Sequence, residues 1–229
     1  MKYSKSDKML IFDFDGTLVD VWKRYYEIFR SWWPININLD TFKKLKWNFE
    51  NETEILAHLN IKYTKEESLQ YKAYKKQKLE EKEYLSLDSR IINPELIENL
   101  RVNYIILTLR RNPENYFWQL EKLGLSKLLK DRSVVLQPKG IDSKLEWIVS
   151  KYPKSLLEKE EELIIVGDSE TDLKLADISK LLKIKSIVYL VKTGLKDPNK
   201  TTQKMNLNAI TIENVNFLFE KLRSMVQLN

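Results

Sequence analysis

The feature that most constrains this chain is a series of short apolar runs, rich in β-branched residues, separated by stretches with helical periodicity. The runs are Met9 to Phe14, Asn103 to Thr108, Ser133 to Leu136, Leu163 to Val166, Ser186 to Val191 and Ala209 to Ile212. Apolar residues on both faces of such runs predict a buried parallel sheet with helices on its two sides, an α/β fold. One helix boundary is explicit in the residues. Asn112 is a natural N-cap, Pro113 takes the first helical position and Gly124 closes the helix.

The interval between the first two runs is different. From Asp20 to Asp88 no strand pattern appears, and the composition turns helical and aromatic. Trp22, Tyr25, Tyr26, Phe29, Trp32 and Trp33 fall at spacings of three and four, one stripe of an amphipathic helix. Further helical patterns cover Asp40 to Trp47, Glu50 to Leu59 and Thr64 to Tyr84. The expected organisation is therefore a core domain, residues 1–19 and 89–229, carrying an all-helical insertion, residues 20–88. The aromatic stripe is expected to form the insertion's own core. A substrate platform is the other use for it.

Composition narrows the function. Hydrophobic residues at 43% allow a packed core. No apolar run approaches the roughly 18–20 residues that cross a bilayer, and the polar start Met1 to Lys8 does not resemble a signal peptide. The expected compartment is the cytoplasm, with no membrane partner. Cysteine is absent, which excludes disulfides, thiolate metal sites and cysteine nucleophiles. The single histidine, His58, lies in the insertion, where a structural or surface role is expected. A formal charge of +6 favours anionic partners in general. The lysines are spread out, and Lys75, Lys76 and Lys78 are offset by Glu80, Glu81 and Glu83, so a solvated helix face is expected and nucleic acid is not.

Two acidic clusters carry the chemistry. The first is Asp13-Phe14-Asp15-Gly16-Thr17-Leu18, at the end of an apolar run. Asp13 and Asp15 would point the same way from a strand, while Gly16 permits a sharp turn. Two buried like charges are costly unless a cation compensates them. Magnesium is the natural choice, because it takes hard oxygen ligands and bridges to phosphate. The second cluster, Gly167-Asp168-Ser169-Glu170-Thr171-Asp172, again follows an apolar run and opens a helix. Either cluster taken singly is also compatible with turn or helix-capping residues. Parallel strands, however, bring their carboxyl ends to one edge of a sheet, so Asp13, Asp15 and Asp168 could converge.

Thr108 ends the run Tyr104 to Leu107, and its hydroxyl can hold a phosphoryl oxygen. A structural threonine fits there too. Lys144 opens an apolar-periodic helix and could neutralise developing negative charge. Lys139 competes for that role, and either could be an ordinary surface lysine. Arg110 and Arg111, just past Thr108, could reach an anionic group or form a solvated pair. The segment Lys192 to Asn208 reads as a long loop near the site.

The order Asp-Phe-Asp-Gly-Thr, apolar strand with threonine, lysine, and Gly-Asp-Ser-x-x-Asp resembles the four motifs of the haloacid dehalogenase-like phosphohydrolases. The resemblance spans the chain outside the insertion and implies a Rossmann-like sheet with a helical cap after the first motif. It implies Asp13 as nucleophile, Asp15 as general acid/base, and Thr108 and Lys144 as phosphate binders. Magnesium would be held by Asp13, the Asp15 main-chain carbonyl and Asp168. Asp172 would assist as ligand or outer partner, and Gly16 would support the turn. The activity implied is a magnesium-dependent phosphatase acting through an aspartyl-phosphate on a small phosphorylated metabolite. A phosphomutase of the same superfamily would share these residues, and a non-catalytic binding protein on the same scaffold is a further reading. Substrate identity and oligomeric state are not legible.

Overall fold

The computed structural model describes residues 8–100, 102–151 and 162–226. The polar segment read as no signal peptide lies mostly outside the described residues.

Among the described residues there are eight strands: β1 (Lys8–Phe12), β2 (Val19–Asp20), β3 (Ser89–Arg90), β4 (Asn103–Leu109), β5 (Ser133–Leu136), β6 (Glu162–Gly167), β7 (Lys185–Val191) and β8 (Ile210–Ile212). Six of them form one sheet in the order β5-β4-β1-β6-β7-β8, and every neighbouring pair is parallel. This is the doubly wound Rossmann order, and the strand order reverses between β1 and β6. The six runs picked out above are these six strands, within one residue except at β1, where Asp13 and Phe14 lie past the strand end.

The alternation of side chains explains why the runs are apolar throughout. Met9 and Ile11 face one side and join Leu107, Leu145, Ile148, Leu163 and Ile165. Leu10 and Phe12 face the other and meet Ile106, Tyr116, Leu120, Ile164 and Phe219. Burial of each such side chain stabilises the fold by roughly 1.5–3 kcal/mol. The central strand β6 is buried along its whole length, whereas the edge strands β5 and β8 are not.

Between β2 and β3 the chain forms five helices: α1 (Trp22–Trp32), α2 (Leu39–Asn48), α3 (Glu52–His58), α4 (Lys65–Lys78) and α5 (Lys82–Leu85). Local chemistry sets their starts. The side chains of Asn38 and Asn51 accept from the main-chain N–H groups of Thr41 and Glu54, and Thr64 with Glu67 forms a capping box. The pattern Thr64 to Tyr84 is thus broken into α4 and α5. Trp22, Phe29 and Trp33 pack with Phe42, Leu45, Ile55, Leu56 and Tyr71, so the aromatic stripe is the core of this helical cap. His58 is exposed beside the ring of Phe49.

Two elements were not legible as strands. Val19–Asp20 pairs antiparallel with Ser89–Arg90, tying the two connections between cap and sheet. A short helix Pro94–Glu98, capped by Asn93, was likewise not anticipated. The segment read as a loop from Lys192 to Asn208 contains a helix, Pro198–Met205, started by the Asp197 side chain. Its polar residues concealed the helix, because only Pro198 and Thr201 are buried.

Candidate active site at the strand-order reversal

The two central strands end side by side, and each delivers a carboxylate. Phe12 pairs with Val166, and the Asp13 N–H donates to the Val166 carbonyl at 2.8 Å. Asp168, two residues past Val166, therefore lies one register step beyond Asp13 at the same edge of the sheet. Carboxylate oxygens of Asp13, Asp168 and Asp172 lie within 4.8 Å of one another, and all three residues are buried.

Space for this crowding comes from glycine. A Cβ on Gly16 would lie 2.3 Å from Asp168 Oδ2, and one on Gly194 would lie 2.2 Å from Asp168 Cβ. Gly16 also has φ +76°, the conformation of the turn after β1. A Cβ on Gly167 would meet Asp172 Cγ at 2.1 Å. Three of the chain's five glycines thus stand against the acidic cluster.

Lys144 enters at the start of the helix Ser143–Lys151 and is 1% exposed. Its Nζ lies 2.6 Å from Asp13 Oδ1 and 2.6 Å from Asp172 Oδ1. Lys139 is exposed, and its main-chain N–H donates to Ser143 Oγ. Asp172 has both oxygens engaged. Oδ1 takes Lys144, and Oδ2 accepts from the Ser169 hydroxyl at 2.7 Å and from the N–H groups of Ser169 and Asp168. Thr108 is buried at the end of β4, two residues past Ile106, the partner of Phe12.

Three carboxylates against one ammonium leave the pocket short of positive charge. Burial pushes the Asp13 carboxyl up to about 7 in spite of Lys144, with Asp172 adding to the rise. Burial, then the charges of Asp13 and Asp172, raises Asp168 well above its ordinary value. Such a donor set, all oxygen and electron-rich, fits a hard divalent cation. Magnesium meets those requirements, and the Asp13 and Asp168 carboxylates have the capacity to hold it.

Asp15 does not join this cluster. Its Oδ1 accepts from Arg24 Nη2 at 2.6 Å and from Arg110 Nη2 at 2.7 Å. Burial alone would raise its carboxyl, but Arg110 and Arg24 overcome that and hold it below the usual carboxylate range. The compensation expected from a metal for the Asp13–Asp15 pair is therefore divided. Lysine serves Asp13 and two arginines serve Asp15. Arg110 is 3% exposed and also reaches Gln119 Oε1 at 2.9 Å, so it is neither solvated nor directed outward. Arg111 lies on the surface and contacts the Lys76 carbonyl and Glu80 of the cap.

Arg24, Asp88 and Gln119 were missed in the sequence. Arg24 Nε lies 3.3 Å from Asp88 Oδ1, and Gln119 Nε2 donates to Asp88 Oδ2 at 2.6 Å. A signal for Arg24 existed. It sits between Val21 and Ile28 on a second buried side of α1, and a charge within an apolar stripe marks a buried ion.

The cap closes over this edge of the sheet. Trp22 and Trp47 donate their indole N–H groups to the carbonyls of Thr193 and Gly194. The Thr193 hydroxyl donates to the Gly16 carbonyl, and the Leu195 N–H to Asp168 Oδ2. A cavity of about 150 Å³ remains beside Asp15, bordered by Tyr25, Leu79 and Glu80 of the cap and by Arg110 and Pro138. Among the described residues no helix is long and apolar enough to cross a membrane.

Comparison with known proteins agrees with this architecture. The model of the family described as haloacid dehalogenase-like hydrolase matches residues 10–188. The curated proteins contain no match to the sequence. Among solved structures, one titled a predicted phosphatase from Clostridium acetobutylicum is 19% identical, with TM-score 0.57, covering 95% of this chain and 98% of its own. A haloacid dehalogenase-like family hydrolase from Streptococcus pneumoniae is 14% identical, with TM-score 0.57, covering 92% and 96%. Protein Tyrosine Kinase A from Mycobacterium tuberculosis is 19% identical, with TM-score 0.61, covering 96% and 99%. At these identities the likeness is one of fold.

Proposed function

The chain belongs to the haloacid dehalogenase-like hydrolases, and from that premise we propose that it is a magnesium-dependent phosphatase acting on a small phosphorylated molecule through a phosphoryl-aspartate on Asp13. The observation that carries this reading is the contact between Asp13 and Lys144 within the buried carboxylate cluster. It gives a nucleophile a charge partner and leaves a deficit of positive charge beside it.

Asp13, Asp168 and the Asp15 main-chain carbonyl would hold magnesium, which supplies the hard positive charge that phosphoryl oxygens require. With both its oxygens taken, Asp172 suits an outer role, positioning Lys144 and the turn that carries Asp168. Asp13 attacks phosphorus, while Lys144 and Thr108 hold phosphoryl oxygens and lower the repulsion between anions. Asp15 then delivers a proton to the leaving oxygen and takes one from the water that opens the phosphoryl-aspartate. Paired with Arg24 and Arg110, Asp15 is in the base form that the second step uses. To protonate the leaving oxygen, Asp15 must first leave the arginines and take up a proton from solvent.

Residues 1–19 and 89–229 form the catalytic domain in this reading, and 20–88 the cap. The size of the space beside Asp15, about 150 Å³ beneath cap residues, favours a small leaving group over a folded phosphoprotein. The test is p-nitrophenyl phosphate hydrolysis, with and without magnesium, by wild type and Asp13→Asn. Magnesium-dependent release that disappears in the variant supports the mechanism. Undiminished release by Asp13→Asn removes it.

A further inference from the structure

A second cavity lies within the cap, about 530 Å³, and Leu79 and Arg111 line both it and the smaller space beside Asp15. These two side chains therefore stand between the two spaces. Lys75 borders the larger one, and its ammonium lies 5.2 Å from the ring centre of Tyr25, which borders the smaller.

The wall of the larger cavity is unbalanced in charge. Lys46, Lys72, Lys75, Lys76 and Arg111 line it, with Lys72 and Lys76 exposed and Arg111 paired with Glu80. The carboxylates there are those of Glu50 and Glu52. Glu52 already accepts from Lys75 Nζ at 2.7 and 2.8 Å, from Lys46 Nζ at 3.3 Å and from the Tyr71 hydroxyl at 3.1 Å. One carboxylate thus answers two ammonium groups. Their combined field outweighs its burial and keeps its carboxyl down at about 2. Among the described residues Lys72 and Lys76 make no ion pair. A solvated helix face would leave its lysines in water, but Lys46 and Lys75 have side chains only 12% and 21% exposed. Two ammonium groups held partly out of water against one carboxylate leave a net positive charge there, and an incoming anion relieves its cost.

We propose that the cap cavity is a second anion subsite, in which Lys75 and Lys46 hold a phosphate or carboxylate group at the far end of the substrate from the reacting phosphoryl group. This deepens the phosphatase reading and rests on it: the substrate is then a small molecule with anionic groups at both ends.

The subsite is tested by calorimetric binding of non-hydrolysable probes, with magnesium present. Methylphosphonate is compared with alkane bisphosphonates of increasing length and with phosphonoalkanoates of matching length. The expected result is one length, in one series or both, that binds at least about tenfold more tightly than methylphosphonate. The better series identifies the second group as phosphate or carboxylate. Lys75→Gln should lose most of that gain, whereas Lys75→Arg should keep it. Since Lys75→Gln removes a partner of Glu52, its melting is checked, and Lys46→Gln serves as a second variant. No gain at any length in the wild type overturns the proposal, as does a gain that persists in a folded Lys75→Gln protein. Gain together with undiminished p-nitrophenyl phosphate release by Asp13→Asn would leave the subsite standing and remove the phosphoryl-aspartate mechanism. Asp13-dependent release without gain would do the reverse.

Discussion

Lys144 Nζ lies 2.6 Å from Asp13 Oδ1 and 2.6 Å from Asp172 Oδ1, so one buried ammonium joins carboxylates that follow β1 and β6. Two chain segments 159 residues apart in sequence are thereby held at one point. The pairing also sets a requirement: without the lysine, both carboxylates are buried with no cation.

Lys144→Met is therefore expected to lose both catalysis and stability. Breaking a buried ion pair by removing one partner costs roughly 3–5 kcal/mol, and losing the phosphoryl-binding charge should lower turnover by about 100-fold or more. Magnesium should narrow the stability deficit, because it restores positive charge to the cluster. Lys144→Arg should not rescue activity, since a planar guanidinium does not fit a site packed around a single ammonium. Melting with and without magnesium, alongside p-nitrophenyl phosphate hydrolysis, checks all of this. Wild-type melting and turnover in Lys144→Met would refute it.

Gly194→Ala probes the proposed magnesium site from the opposite side. The added methyl would stand 2.2 Å from Asp168 Cβ, so Asp168 must shift or the Thr193–Leu195 segment must lift. Displacing a ligand's support typically costs 10–100-fold in metal affinity. The magnesium concentration for half-maximal activity should rise by about tenfold or more, and the magnesium-induced rise in Tm should shrink at a fixed concentration. An unchanged magnesium titration would show that Asp168 is not a ligand held by this packing.

Much of the sheet is readable from residues 9–12, 103–108 and 163–166, because strands buried on both faces permit hardly anything but apolar side chains. The carboxylates that follow β1 and β6 are readable for the complementary reason: charge directly after such a run has to be put to use. What stayed hidden depended on distant partners. Arg24 stands among apolar residues of α1, but its partners Asp15 and Asp88 cannot be read from that pattern. The helix Pro198–Met205 buries only two residues, so it carries almost no apolar periodicity. The strands Val19–Asp20 and Ser89–Arg90 are two residues each, too short for any period to show.

The two-arginine hold on Asp15 predicts a specific acid dependence. A carboxyl held below its ordinary value contributes stability that is fully present above that value and is lost as pH falls through the folded value. Arg110→Met should therefore be less stable than wild type at neutral pH. The difference should fall short of the roughly 3–5 kcal/mol of a fully broken buried pair, because Arg24 still holds the same oxygen. Below about pH 4, near the ordinary carboxylate value, the gap should close. Denaturant unfolding between pH 3 and 8 measures it, and a gap independent of pH would mean that Arg110 contributes by packing alone.

Asp88 should behave in the opposite sense. Burial raises its carboxyl from 3.8 to about 7, with Arg24 opposing and Asp15 reinforcing the rise. The folded protein then keeps a proton that the unfolded chain releases from about pH 4 upward, so this group's contribution falls as pH rises toward 7 and is lost above it. Asp88→Asn has the same shape and can still accept from Gln119, but it has no proton to lose. Relative to this variant, wild type should lose stability steadily from pH 4 to 7 and level off beyond. Parallel unfolding curves across that range would instead place the Asp88 charge in the folded protein throughout, with Arg24 shared equally between Asp88 and Asp15.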